Sequence, residues 1–367
     1  MKHHVHILIK PASSACNMRC KYCFYCDVSS HRGTHSFGTM NENTMKSLVR
    51  KTLEYADGGN VTYAFQGGEP LLAGELFFHT FAETVDEFNV KGSPIRYALQ
   101  TNGTLLTDCL CVFLKQKNFL VGVSLDGPRK LNDVNRISAD GSASFDAIMN
   151  GIALLKKHGI PFNILTVLTH TSVDYLSRLK TFFENCNFSH LQFISCLEPF
   201  GTEPFSTELA MSPDEYYMVY KSLFDWYLEQ NRNGRLLSIR HFDNMLNTLQ
   251  GRSPELCGTL GYCPGQLVIE GNGNCYPCDF YCDDKHLLGN IQECSLDEMH
   301  SDPVMKQFID ESLTIDTACK KCPVLSLCRG GCRRERDWSC SGHLGLNIYC
   351  SGRKKFFEYV ISTFSKT

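Results

Sequence analysis

The chain has 367 residues, enough for one large domain and a smaller one. Its 36 basic and 39 acidic side chains leave a net charge of −3 with no long run of either sign, so neither nucleic acid nor an anionic membrane surface is expected as a partner. No apolar stretch approaches bilayer length, and the first ten residues read as a strand rather than a signal peptide.

Apolar and amphipathic periodicities then alternate along the first half of the chain. Strands are predicted over His6–Lys10, Val61–Phe65, Ile95–Gln100, Leu120–Ser124, Phe162–Leu168 and Leu191–Ser195. Helices are predicted over Glu42–Ala56 (Asn41 as cap), Glu75–Asn89, Asp108–Lys117, Ser144–His158 and Val173–Asn185. The strand–helix repeats imply parallel strands with right-handed crossovers. Residues Ser212–Gln250 read as helical, with Pro213 suited to a first helical position, and bridge to a second region.

Twenty cysteines are the anomaly. With no export signal, and in a chain too large for a disulfide-stapled domain, a reducing compartment with metal clusters fits them better. The run Cys16-Asn-Met-Arg-Cys20-Lys-Tyr-Cys23 can hold three corners of a four-iron cluster and leave the fourth iron open. A zinc site would want a fourth ligand, which Cys26 could supply. Downstream, Cys319-x2-Cys322-x5-Cys328-x3-Cys332 leads to Cys350, and Cys257, Cys263 and Cys278 stand upstream. A zinc ribbon competes there with two iron–sulfur clusters, and only clusters give eight such thiolates a redox task. Three polar, Gly-containing loops leave strands on the side where chemistry collects in such folds. They are Gln66-Gly67-Gly68-Glu69-Pro70, Gln100-Thr101-Asn102-Gly103 and Ser124-Leu125-Asp126-Gly127.

The first cysteine loop, with Tyr22 in its aromatic slot, resembles that of the radical S-adenosylmethionine (SAM) superfamily. The resemblance implies an α/β fold: a partial, TIM-like (β/α)6 barrel whose open iron chelates SAM, which is cleaved to a 5′-deoxyadenosyl radical. It makes Gly67-Gly68-Glu69-Pro70 the motif for the SAM amino group, with Tyr22, Ser124, Asp126 and Arg136 as further SAM contacts. The later cysteines resemble the SPASM extension, which carries two auxiliary four-iron clusters. Carried over, Cys257, Cys263, Cys278 and Cys332 ligate the first, and Cys319, Cys322, Cys328 and Cys350 the second. Residues 1–235 would then form the barrel, and 236–367 the SPASM domain with a C-terminal helix. Nine cysteines stay unassigned: Cys26, Cys109, Cys111, Cys186, Cys196, Cys275, Cys282, Cys294 and Cys340. Free cysteine is often a small buried apolar residue, and that is their default reading.

Ile9-Lys10-Pro11-Ala12-Ser13-Ser14-Ala15-Cys16, Cys23-Phe24-Tyr25, Phe65-Gln66-Gly67-Gly68-Glu69-Pro70, Tyr276-Pro277-Cys278-Asp279-Phe280 and Arg329-Gly330-Gly331-Cys332-Arg333-Arg334 together resemble the anaerobic sulfatase-maturating enzymes. That resemblance implies oxidation of a cysteine or serine, in a sulfatase polypeptide of the Cys/Ser-x-Pro-x-Arg type, to Cα-formylglycine. Asp279 holds the family's base position, and Tyr25, Gln66 and Asn102 are candidates to position the peptide. A monomeric, cytoplasmic enzyme fed by a flavodoxin- or ferredoxin-like reductant is the matching picture. Two alternatives stand beside it. A SPASM maturase making thioether or carbon–carbon crosslinks would share all three clusters but usually adds a leader-recognition domain, and only about fifteen residues precede Cys16. The other is a zinc-binding interaction protein without catalysis.

Overall fold

The computed structural model describes residues 2–338 and 344–364. Cys340 lies outside them. Among the described residues ten strands form: β1 Val5–Ile9, β2 Val61–Phe65, β3 Ile95–Thr101, β4 Leu120–Ser124, β5 Phe162–Leu168, β6 His190–Ser195, β7 Ser238–Ile239, β8 Leu267–Ile269, β9 Asn274–Tyr276 and β10 Gly289–Asn290. The chain divides into two units. The first comprises 1–124, 136–162 and 265–308, and the second the remainder.

In the first unit β1, β2, β3 and β4 run parallel in that order, with Val5 opposite Val61 and Val61 opposite Ile95. β1 is almost entirely buried, as expected of parallel strands covered on both faces. The covering helices Glu42–Ala56 and Asp108–Gln116 begin at side-chain caps, Asn41 and Thr107, which accept from backbone amides three residues on. Phe65, Phe77, Phe78, Phe81 and Phe119 fill the space between sheet and helices.

The other edge of β1 is taken by a strand from far along the chain. β8 pairs parallel with β1, Ile7 opposite Leu267 and Ile9 opposite Ile269, and β9 and β10 follow antiparallel. This pairing was not visible in the sequence, because strands of two or three residues carry no period. It matters for the site, since it brings the segment after Ile269 level with the carboxyl end of β1.

In the second unit β5, β6 and β7 are parallel. Predicted helix Ser212–Gln250 is two helices, Pro213–Arg232 and Arg240–Leu249, separated by β7. The break falls where Asn231 turns its side chain onto Leu237 and Gly234 takes φ +81°, ending the first helix. Ser212 and Glu215 close a capping box around Pro213. The C-terminal helix Cys350–Phe364 lies so close to that start that a Cβ on Gly352 would sit 2.0 Å from the Pro213 carbonyl oxygen. No described helix is long and apolar enough to cross a membrane.

Candidate active site

The cysteine loop follows β1 directly and is held by backbone contacts to the glycine loop after β2. Gly68 N donates to Ser13 O at 2.9 Å and Glu69 N to Ala15 O at 2.8 Å. A Cβ on Gly68 would lie 2.1 Å from Ala15 O, so glycine is required there by one chain segment passing against another. Gly67, at φ +134°, makes the turn that permits it. Asn17, inside the cysteine loop, bonds both Asn102 and Thr104, and Asn102 Oδ1 accepts from the Thr104 amide. Asn102, read from sequence as a peptide contact, thus has its amide committed to the loop that carries Cys16, Cys20 and Cys23.

Glu69 is fully buried and accepts three hydrogen bonds. Its carboxylate accepts from Thr101 Oγ1 at 2.7 Å, Asn102 N at 2.7 Å and Leu71 N at 3.1 Å. Burial nonetheless carries its pKa above the ordinary carboxylate value, against these donors and Arg136. It welds the glycine loop to the end of β3. Arg136, nearly buried, donates to the Tyr22 hydroxyl at 3.0 Å, so two expected SAM contacts meet beside the cysteine loop. Ser124 accepts from Gln100 at 3.0 Å. Asp126 belongs to the second unit, where its carboxylate accepts from Val167 N at 3.1 Å.

Asp279 follows Cys278 at the start of a short 3₁₀ turn, Asp279–Tyr281. Its two oxygens are held from opposite sides, one ion-paired with Lys10 Nζ and the other accepting from Gln66 Nε2 at 2.7 Å. Lys10 is fully buried at the end of β1, and its ammonium stands 3.3 Å above the Tyr25 ring centre. Burial alone would lower the Lys10 pKa. The carboxylates of Asp279 and Glu270 and the Cys282 thiolate form outweigh it and hold the pKa above its ordinary value.

Behind this pair lies a second one, Arg32 and Glu270, with both side chains sealed from solvent and 2.8 Å apart. Tyr25, 2% exposed, donates its hydroxyl to Glu270. A peptide contact through that hydroxyl would have to displace this bond. Arg32 uses all its donors, on Glu270, Ser13 Oγ and the carbonyls of Thr34, His35 and Cys282. Lys10, Arg32 and Glu270 carried no assigned role in the sequence reading. The available signal was Lys10 itself, a cation one residue past an apolar strand.

The thiols of both units fit iron–sulfur ligation. Cys16, Cys20 and Cys23 are thiols outside any disulfide, partly exposed and electrostatically coupled, and burial lifts the Cys16 pKa to about 11. A protonated thiol of that kind releases its proton on metal binding. In the second unit Cys257, Cys263 and Cys332 interact with one another. So do Cys319, Cys322, Cys328 and Cys350. A cavity opens among Cys319, Cys328 and Cys350, lined also by Arg336 and Asn347. Of the cysteines left unassigned, Cys111, Cys196, Cys275 and Cys282 are buried, and Cys26 and Cys109 are exposed. The Cys282 thiol points at the carbonyls of Cys278 and Asp279, 3.6 Å from each.

The model of the radical SAM superfamily matches residues 11–182, and that of SPASM, an iron–sulfur cluster-binding domain, matches 262–323. Fold and site therefore define a radical SAM enzyme: a (β/α)6 barrel of that type, using a four-iron cluster and SAM, joined to a domain for auxiliary clusters. The chain is 41% identical over 353 residues to the cysteine-type anaerobic sulfatase-maturating enzyme of Clostridium perfringens (strain 13 / Type A), covering 96% of this chain and 95% of that one. It belongs to the family of anaerobic sulfatase-maturating enzymes. A serine-type member from Bacteroides thetaiotaomicron is 29% identical, covering 97% of this chain and 89% of its own. A solved structure described as native anSMEcpe with bound AdoMet and Cp18Cys peptide superposes with a TM-score of 0.94 at 39% identity, covering 99% of this chain and 98% of that one.

Proposed function

We propose that this chain oxidises a cysteine side chain of a sulfatase polypeptide to Cα-formylglycine, with Asp279 as the base that takes the thiol proton. Cysteine is preferred over serine in this reading because identity to a cysteine-type relative, 41%, exceeds that to a serine-type one, 29%. When bound, three four-iron clusters and SAM supply a hydrogen-abstracting radical and an outlet for the second electron. The protein's own work is positional. Lys10 and Gln66 fix the Asp279 carboxylate from opposite sides, and it stays partly exposed at 14%, open to a peptide thiol. That geometry is the observation that carries the assignment.

The substrate loses one hydrogen from Cβ, one proton from sulfur and one electron, giving a thioaldehyde. Water then replaces sulfur to leave the aldehyde and hydrogen sulfide. Gln66 orients Asp279 and, with Tyr25 and Asn102, borders the peptide. Tyr22, Gly67, Gly68, Glu69, Ser124, Asp126 and Arg136 shape the SAM site, Glu69 by bracing the loops. Cys16, Cys20 and Cys23 ligate the open cluster. By resemblance to the SPASM domain, Cys257, Cys263, Cys278 and Cys332 would hold one auxiliary cluster and Cys319, Cys322, Cys328 and Cys350 the other. The functional division falls near residue 235, between barrel and SPASM domain. A monomeric cytoplasmic enzyme with a flavodoxin- or ferredoxin-like reductant completes the proposal, supported by its many free thiols.

The test is mass spectrometry of a Cys-x-Pro-x-Arg peptide incubated anaerobically with the iron-loaded enzyme, SAM and dithionite. A loss of about 18 Da marks sulfur replaced by oxygen with two hydrogens removed. A loss of about 2 Da with sulfur retained, and fragmentation that places a new bond between two residues, would mark a crosslinking maturase and overturn the assignment.

A further inference from the structure

Two arginines of the second unit are buried with part of their donor capacity unused. Arg336, 3% exposed, donates through Nη2 to the carbonyls of Ser312 and Thr314, while its Nε finds no acceptor among the described residues. Arg353, 5% exposed, has neither Nε nor Nη2 hydrogen-bonded among the described residues, and its Nη1 stands 3.7 Å from Glu335 Oε2. Leaving a buried donor unmade costs about 1–3 kcal/mol, more for a charged group, and native structures hold few of them. The nearby carboxylates leave those N–H groups unbonded. Glu335 accepts from Asn347 at 2.6 Å, and Asp316 caps the amide of Ala318 at 2.8 Å. Arg336 lines the cavity among Cys319, Cys328 and Cys350, and the Cys328 sulfur is among the groups that act on the Arg353 charge.

We propose that Arg336 and Arg353 donate these N–H groups to the second auxiliary cluster and raise its reduction potential. This rests on the reading that Cys319, Cys322, Cys328 and Cys350 ligate that cluster. The acceptors are its inorganic sulfides and the ligating thiolates, the groups with lone pairs that belong in this cavity. A reduced cluster carries one more negative charge than an oxidised one. Cations and N–H donors at its sulfurs therefore favour the reduced state.

The background for the test is the full chain with Cys16, Cys20 and Cys23 changed to alanine, which retains only auxiliary clusters. Iron is counted, and potentials are measured by redox titration followed by electron paramagnetic resonance. Cys322→Ala/Cys350→Ala should remove about four irons. If it removes none, the ligand reading fails. With that reading intact, Arg353→Met and Arg336→Met should disfavour reduction at least tenfold, a fall of about 59 mV for one electron. Arg→Lys at either position keeps the charge without the fork and should recover part of it. Iron lost in a methionine variant but kept in its lysine counterpart also supports the proposal, because the cation is then needed to hold the cluster. Fully loaded methionine variants with unchanged potentials overturn it.

Discussion

Lys10→Met tests the charge arrangement around Asp279. The substitution keeps length and apolar bulk over the Tyr25 ring, so little cavity is created, but it removes the ammonium from a fully buried ion pair. Breaking a buried pair by deleting one partner costs about 3–5 kcal/mol, because the remaining charge is left uncompensated. Asp279 keeps its bond from Gln66 and some contact with solvent, so the loss should fall near the lower end, about 3 kcal/mol. Freed on one side, the carboxylate leaves its position. A misplacement on the order of 1 Å costs about 10²-fold in rate. The assay is formylglycine formed per 5′-deoxyadenosine released, with denaturant unfolding measured on the same preparation. SAM cleavage should persist while the ratio falls on the order of 100-fold. Adding Asp279→Asn to Lys10→Met should restore part of the stability, since neither charge is then stranded. Wild-type coupling and stability in Lys10→Met would refute the reasoning.

Asp279→Asn alone should leave 5′-deoxyadenosine formation in place and depress formylglycine by about 10²–10⁴, because an amide cannot accept the proton. Product at the wild-type rate would remove Asp279 from the chemistry. Gly68→Ala forces a Cβ to 2.1 Å from Ala15 O, so the cysteine loop must shift, and iron content should fall by about four per chain. Full iron content would show that the loop accommodates the methyl group. His241 has its ring packed beside Tyr220 with Nε2 unpartnered among the described residues, and burial, then Arg353, lower its pKa to about 3. The folded value lies below the unfolded value of about 6.5, so its contribution is full above pH ~6.5 and shrinks as pH falls, by up to about 1.4 kcal/mol per unit. Between pH 7 and pH 5 the unfolding free energy of wild type should fall by about 2 kcal/mol relative to that of His241→Phe, and an unchanged difference would contradict the assignment.

What the sequence disclosed follows from which interactions are local. β2, β4, β5 and the helix Glu42–Ala56 match the periodic reading residue for residue, and Asn41 caps as expected. Each is long, strongly patterned and bounded by turn chemistry. Cysteine spacing carried the cluster motifs because ligation imposes spacing on the chain. The buried charges were illegible for the opposite reason. Lys10 meets Asp279, and Arg32 meets Glu270, across more than two hundred residues, and only the parallel seating of β8 on β1 brings them together. The glycines of the second loop were legible as close-approach positions, but the partner was not. Gly68 yields space to the backbone of Ala15, a contact that no one-dimensional pattern contains.

Glu69 and Asp279 show how one unit assigns two carboxylates different work. Glu69 is sealed in the loop after β2 and accepts from Thr101, Asn102 and Leu71, bonds that tie this loop to the end of β3. Its burial is sustained by those bonds, and its task is mechanical. Asp279 is met by a cation and an amide yet keeps an exposed margin. The pair behind it, Arg32 and Glu270, makes the local sum two positive and two negative charges. If Asp279 takes a proton, Lys10 is left beside Glu270, whose Oε2 has no hydrogen-bond partner among the described residues and already acts on the Lys10 charge. Protonation of Asp279 therefore leaves two cations against the single carboxylate of Glu270, and passing that proton on restores the balance without moving the strands that hold these side chains.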